Sequence, residues 1–236
     1  MKLVVNSIIR EKYPALRIGL VMAKYVNNNI YPDGLKDYVK DVFNNFAHKF
    51  EDPKDLEDNK NVLAWREIYR SFGVNPKKKK PTAESLLART IRSNYIPHIS
   101  PAVDAYLCAE TMHCLPIGGY DLEHISGDIV LRFSTGSEDF MGVGSESAEI
   151  TNEGEVVYAD NDRILTRCWN YRDCDFSKID IGTTTLALFS EAPFVEITDE
   201  EVRETVEQIS TNLQKFCGAH CTVSFLSSDE NEIAIY

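Results

Sequence analysis

Apolar residues recur along this chain with two different periods, and the switch between them predicts its organisation. In the first half the interval is three or four. After Asp33-Gly34, the residues Leu35, Tyr38, Val39, Val42, Phe43, Phe46 and Phe50 make one stripe, with Lys36, Asp37, Lys40 and Asp41 outside it. That pattern predicts an amphipathic helix packed on a core. A polar stretch over 51–61 predicts a loop or a short helix, and Asn61–Phe72 a second amphipathic helix ended by Gly73 and Pro76. A third helix begins at Pro81-Thr82, with Thr82 as N-cap, Glu84 complementing the helix dipole, and Leu86, Leu87 and Ile91 on the buried side. Ser100-Pro101 opens a fourth, which runs to about Cys114 and stops at Pro116.

Beyond Pro116 the period becomes two. Residues 128–133, 155–160, 164–169 and 183–189 predict strands rich in β-branched and aromatic side chains, separated by Gly and Asp/Asn turns. Residues 3–5 and 17–23 read as strands as well. Near the carboxy end, Thr198-Asp-Glu-Glu201 is a capping box before Val202, Val206, Ile209, Leu213 and Phe216, and short strands follow at 221–226 and 232–236. Helices first, then mostly strands, then one helix predict an α+β fold with mixed and antiparallel sheets and packed helices. A chain of 236 residues is long enough to bury a core, and the expectation is one compact domain over 1–236.

Composition removes several function classes. A net charge of −12 opposes broad, non-specific nucleic-acid binding. Lys77-Lys78-Lys79-Lys80 is the only dense basic run, and taken alone it reads as a solvated loop. No apolar run approaches the roughly 18–20 residues needed to span a bilayer, and the first residues do not form a signal peptide, so the expected compartment is the cytoplasm. Six cysteines in so long a chain read as free thiols. Cys217 and Cys221 form one knuckle without a second to match it, so no metal is expected. The phosphate-loop and Rossmann glycine patterns are absent, and no cofactor is expected. Gly142-Val-Gly144 reads as a turn. His113 and Cys114 are adjacent on a helix and point apart, and the G-x-S-x-G signature is missing.

What remains is a polar-aromatic knot, Arg167-Cys168-Trp169-Asn170-Tyr171-Arg172-Asp173, with Glu191 downstream and Gly118-Gly119 upstream. The glycine pair reads as a turn that lets a ligand approach the backbone. From residue types alone, the simpler reading is that Arg and Asp pair with one another while Trp169 fills the core. A pocket is the alternative.

The order of motifs adds to this. Trp65–Pro76, Leu87–Arg89, Ile99–Asp104, Leu115–Asp121, Gly127–Arg132, Gly154–Asp160, Cys168–Asp173, Thr184-Thr185 and Glu191-Ala192 follow one another with a spacing that resembles the free-standing B3/B4 domain proteins. These are relatives of the editing domain in the phenylalanyl-tRNA synthetase β subunit. The resemblance places a B3/B4-like core at about 62–226. It implies a pocket that accepts the aminoacyl end of a mischarged tRNA and hydrolyses its ester, which in the synthetase domain is tyrosine on the phenylalanine tRNA. Glu191 corresponds to a glutamate that matters there, positioning water or bonding a polar group of the amino acid. Arg89 falls near an arginine used at that site. Ser100, Gly118, Gly119, Arg167, Trp169, Asn170, Arg172 and Asp173 are the expected substrate-binding residues, and Lys77–Lys80 the expected RNA contacts. The partner is then tRNA or aminoacyl-tRNA, and the alternative is a non-catalytic module for RNA or a free amino acid. The departures are specific. Gly118 stands where the synthetase pattern has histidine, Ser100-Pro101 replaces an Asn-Asn pair, and the bulky 167–173 segment replaces a glycine-rich loop.

Overall fold

A computed structural model describes residues 1–236 and builds them into two main sheets and a layer of helices. The chain enters through β1 (Lys2–Val5), α1 (Ser7–Lys12), β2 (Arg17–Lys24) and α2 (Leu35–Ala47). A short 3-10 turn (Pro53–Asp58) leads to α3 (Lys60–Ser71), α4 (Thr82–Ser93) and α5 (Pro101–His113). The strands follow as β3 (Ile117–Asp121), β4 (Ile129–Thr135), β5 (Asp139–Phe140), β6 (Glu149–Ile150), β7 (Glu153–Ala159), β8 (Ile164–Arg167), β9 (Arg172–Asp173) and β10 (Thr185–Ala192). The last elements are α6 (Asp199–Cys217), β11 (His220–Leu226) and β12 (Glu232–Ala234). This is an α+β fold. No helix is long and apolar enough to cross a membrane.

One sheet has the order β12-β1-β4-β7-β8-β9, antiparallel throughout except for the parallel pair β1–β4. The other is antiparallel, β11-β2-β10-β3. Side chains alternate along β10, so its two faces serve two cores. Ala187 and Phe189 join the cluster of Leu3, Ile18, Trp65, Tyr69 and Tyr158, while Leu186 and Leu188 join Val42, Val206 and Ile209 of α2 and α6. Glu191 continues the Ala187–Phe189 face. The alternation that builds the first core therefore carries a carboxyl into it.

Several local expectations change. The stretch read as a Gly-Gly turn is strand β3, with Gly119 opposite Leu188. A Cβ on Gly119 would drive into the Ala187 carbonyl, so the glycine serves the close approach of two strands. Strand β8 stops at Arg167 rather than continuing to Trp169, because Cys168 and Trp169 take φ of 47° and 69°. Pro81, not Thr82, occupies the N-cap of α4, and no side chain caps that helix. Ser100 is the N-cap of α5, but its hydroxyl makes no capping bond. Asn28 Oδ1 accepts from the Ala102 amide at 2.7 Å instead. Helix α1 has only six residues, too few for a stripe, and Asn6 caps it by accepting from the Ile8 amide.

Candidate functional site

A cavity of about 250 Å³ opens beside the carboxy-terminal end of β10, between the two sheets. Strand β10 gives it Phe189 and Glu191, β3 gives Ile117, Gly118 and Tyr120, and the facing sheet gives Tyr158 and Thr166. The turn Trp169–Tyr171 and strand β9, with Arg172 and Asp173, complete most of the wall, and Val143 and Thr82 close it. Gly142-Val-Gly144 is a turn, as read from the sequence, and through Val143 it forms part of the cavity wall. Arg172 Nη2 donates to the Val143 carbonyl at 3.0 Å, and Gly142 leaves room for the Arg172 side chain to cross it.

Glu191 is 3% exposed and has no cation against it. Its one hydrogen bond comes from the Tyr158 hydroxyl, 2.6 Å from Oε1. Burial pushes its pKa up to about 8, nearby Asp173 adds to the rise, and Tyr158 and the Asn170 amide hold it back in part. Around neutral pH the Glu191 side chain is therefore mainly a carboxylic acid, able to donate as well as accept. Burial pushes Asp173 up to about 6, and the Thr166 hydroxyl, which donates to its Oδ1 at 2.6 Å, offsets part of that rise. Two carboxyls in one cavity thus hold their protons over different ranges. That separation marks acid and base roles in many active sites.

The turn is fixed from behind. The Tyr69 hydroxyl donates to Asn170 Oδ1 at 2.7 Å, and the Asn170 side chain lines the cavity near Glu191. Trp169 is fully buried against Tyr13, Trp65 and Phe72, with ring centroids 4.9, 5.5 and 6.4 Å away. Two consecutive non-glycine residues in the left-handed region cost about 1–2 kcal/mol each, and strain of this kind collects at functional sites.

Other expected site residues lie elsewhere. Arg167 is 4% exposed and turns away from the cavity into a bidentate pair with Glu155 at 2.7 and 2.9 Å, with Glu149 at 2.8 Å. Gly119 is buried in β3 beside β10, Ser100 is buried at the α5 cap, and Arg89 lies exposed on α4; none lines the cavity. Gly118 does line it, and a Cβ there would meet nothing within 4 Å. The lysine run adjoins the mouth. Lys79 Nζ lies 3.7 Å from Cys168 Sγ and over the ring of the lining residue Tyr171, while Lys77 and Lys78 are exposed. Lys80 is paired with Glu84 at 3.0 Å.

Tyr158, Tyr120, Thr166 and Tyr69 were missed from sequence. Tyr158, Tyr120 and Thr166 sit on strands and Tyr69 on α3, and no local sequence signal separates their hydroxyls from those of ordinary core residues. A larger groove of about 950 Å³ runs between α2, α3, α5 and α6 and includes His113 and Cys114. Its two carboxylates, Asp41 and Glu201, are not buried, and Glu201 is paired with Lys60 at 2.6 Å.

Comparisons with known proteins give the following. Residues 64–218 match the family model described as the B3/4 domain. Among solved structures, the chain is similar to an N-terminal fragment of the phenylalanyl-tRNA synthetase β-subunit from Pyrococcus horikoshii, with 11% identity and a TM-score of 0.47. The alignment covers 93% of this chain and 49% of that one, so the chain spans about half the length of the fragment. No curated protein matches it.

Proposed function

We propose a function from two premises: the chain belongs to the B3/4 domain family, and its cavity holds a buried carboxyl that no cation neutralises. The reading is a trans-acting aminoacyl-tRNA deacylase of the cytoplasm. The cavity takes the aminoacyl end of a mischarged tRNA, and water hydrolyses the ester. The chain works as one unit over 1–236 around a B3/B4-like core at about 62–226.

Glu191 carries this reading. A carboxylic acid kept neutral near pH 7 donates a hydrogen bond to the ester carbonyl oxygen, which gains charge as water adds. Tyr158 engages Oε1, which leaves Oε2 to carry the proton. An aminoacyl ester is already activated, so this donor and one base suffice. Asn170, Trp169 and Asp173 border the amino-acid moiety, and Arg172, Lys77, Lys78 and Lys79 favour the phosphates at the mouth.

The test is release of amino acid from a panel of mischarged tRNAs by the purified protein. Hydrolysis of at least one member that drops in Glu191→Leu is the expected result. A second reading, a non-catalytic module for RNA or a free amino acid, is favoured by Gly118, which leaves the cavity without the imidazole of the synthetase pattern. That reading predicts saturable binding with no release by the wild type.

A further inference from the structure

We propose that Asp173 is the general base of this cavity, held in place by a Tyr120–Thr166 hydroxyl relay; this rests on the deacylase reading. Thr166 Oγ1 lies 2.6 Å from Asp173 Oδ1 and 2.6 Å from the Tyr120 hydroxyl. A threonine hydroxyl has one proton, and here it goes to the carboxylate, so Tyr120 donates to Thr166. The relay therefore runs one way, from Tyr120 through Thr166 to Asp173. Tyr120 and Thr166 are 2% and 3% exposed, so solvent does not compete for these bonds.

The backbone of Asp173 is fixed as well. It sits opposite Thr166 in the β8–β9 ladder, and its carbonyl accepts from the Val143 amide at 3.0 Å. Only Oδ1 is engaged by the protein, and Asp173 stays partly open to the cavity, so Oδ2 is left for a water. Asp173 raises the pKa of Glu191 of β10, Tyr120 of β3, and Tyr106 and Glu110 of α5, so these are the titratable groups around it. The neighbouring cation, Arg172, is directed to the Val143 carbonyl and Glu149. Burial raises Asp173, and the Thr166 bond restrains the rise to about 6, so Asp173 is ionised at neutral pH while Glu191 keeps its proton. Of the two carboxyls, Asp173 is the one free to take a proton.

The step balances with water as the only co-reactant. Asp173 Oδ2 takes one proton from water as the water oxygen bonds to the ester carbon. Glu191 donates a hydrogen bond to the resulting oxyanion. Collapse breaks the bond from the carbonyl carbon to the ribose oxygen, and the proton on Asp173 passes to that leaving oxygen. Free amino acid and uncharged tRNA result, and both carboxyls return to their starting states.

The experiment compares wild type, Asp173→Asn, Asp173→Glu and Thr166→Val on the panel of mischarged tRNAs, with folding checked by circular dichroism and affinity measured with uncharged tRNA. Asp173→Asn should lower single-turnover hydrolysis about 10²–10⁴-fold with affinity unchanged, and Asp173→Glu should restore part of it. Thr166→Val removes the bond that restrains Asp173, so the acid limb of its pH–rate profile should move to higher pH. If Asp173→Asn does not fold, that shift decides the matter. An active wild type with an Asp173→Asn of equal rate, or a Thr166→Val profile that does not move, overturns the role of Asp173 alone. A wild type that releases nothing from any tRNA overturns the deacylase reading first, and the base with it.

Discussion

Glu155 and Glu191 are 2% and 3% exposed, and burial acts on both in the same direction. Around Glu155 the desolvation is outweighed by the bidentate Arg167 guanidinium and the Asn152 amide, and its pKa falls below the usual carboxylate value. Around Glu191 there is a tyrosine hydroxyl and no cation, and the pKa climbs to about 8. The first arrangement is closed: its charges are spoken for and it has nothing left to offer a ligand. The second is open, and it lies on a cavity. Polar density alone does not separate these two cases. Incomplete pairing does, and it places the candidate chemistry at Glu191 and Asp173 rather than at Arg167.

The largest expected effect comes from opening the closed network. Arg167→Met leaves Glu155 buried without its cation and should destabilise the fold by about 3–5 kcal/mol in urea unfolding. The double variant Arg167→Met/Glu155→Leu should recover most of that loss. A single variant as stable as wild type would mean that Glu155 does not depend on Arg167, and the contrast between the two glutamates would fail.

The open site responds first in rate. Glu191→Leu removes the donor and should lower deacylation about 10²–10³-fold, the scale of a lost oxyanion donor. Glu191→Gln keeps an N–H donor and a similar shape, so its rate should stay within about tenfold of wild type. Equal, severe losses in both variants would instead assign Glu191 a proton-transfer role.

Stability against pH gives the next test. The folded-state pKa of Glu191 lies above its unfolded value, so its contribution is fully present below about pH 4.5 and is lost as pH rises to about 8. Relative to Glu191→Gln, wild type should lose up to a few kcal/mol across that window and then level off. Glu155 carries the opposite sign. Its depressed pKa gives stability above the unfolded value that is lost as pH falls through the folded one. Asp173 titrates in both proteins, and only its coupling to Glu191 remains in the difference.

The division between closed and open was only partly legible in the sequence. The 167–173 knot and Glu191 stood out by residue type, and Trp169, Asn170, Arg172, Asp173 and Glu191 do share one cavity. Arg167 looked the same as Arg172 because its partner Glu155 belongs to another strand, a pairing that only the β7–β8 hairpin creates. Tyr158, Tyr120 and Thr166 read as ordinary strand residues, since their hydroxyls acquire partners across the intersheet layer. The elements themselves were legible where one period or one cap suffices, as in the Thr198–Glu201 capping box. The β3 glycines and the left-handed Cys168-Trp169 pair depend on neighbouring strands, so local turn rules misplace them.

The smallest effect applies the same distinction to cations. Among the four lysines of the run, Lys80 is held by Glu84, which also binds Arg66 at 2.9 Å, and a cation already neutralised releases no counterion when a phosphate arrives. Lys77 and Lys78 are exposed and unpaired, and they stand beside the loop that carries Lys79 to Tyr171. If tRNA passes this mouth, Lys77→Gln and Lys78→Gln should each lower the slope of log affinity against log salt by roughly 0.7–0.9. Lys80→Gln should leave that slope nearly unchanged, with Arg66 still on Glu84. Filter binding of one tRNA across a salt series is enough to see this. Equal changes at all three positions would show that pairing does not decide which cations are available, and no change at any of them would return the run to a solvated loop.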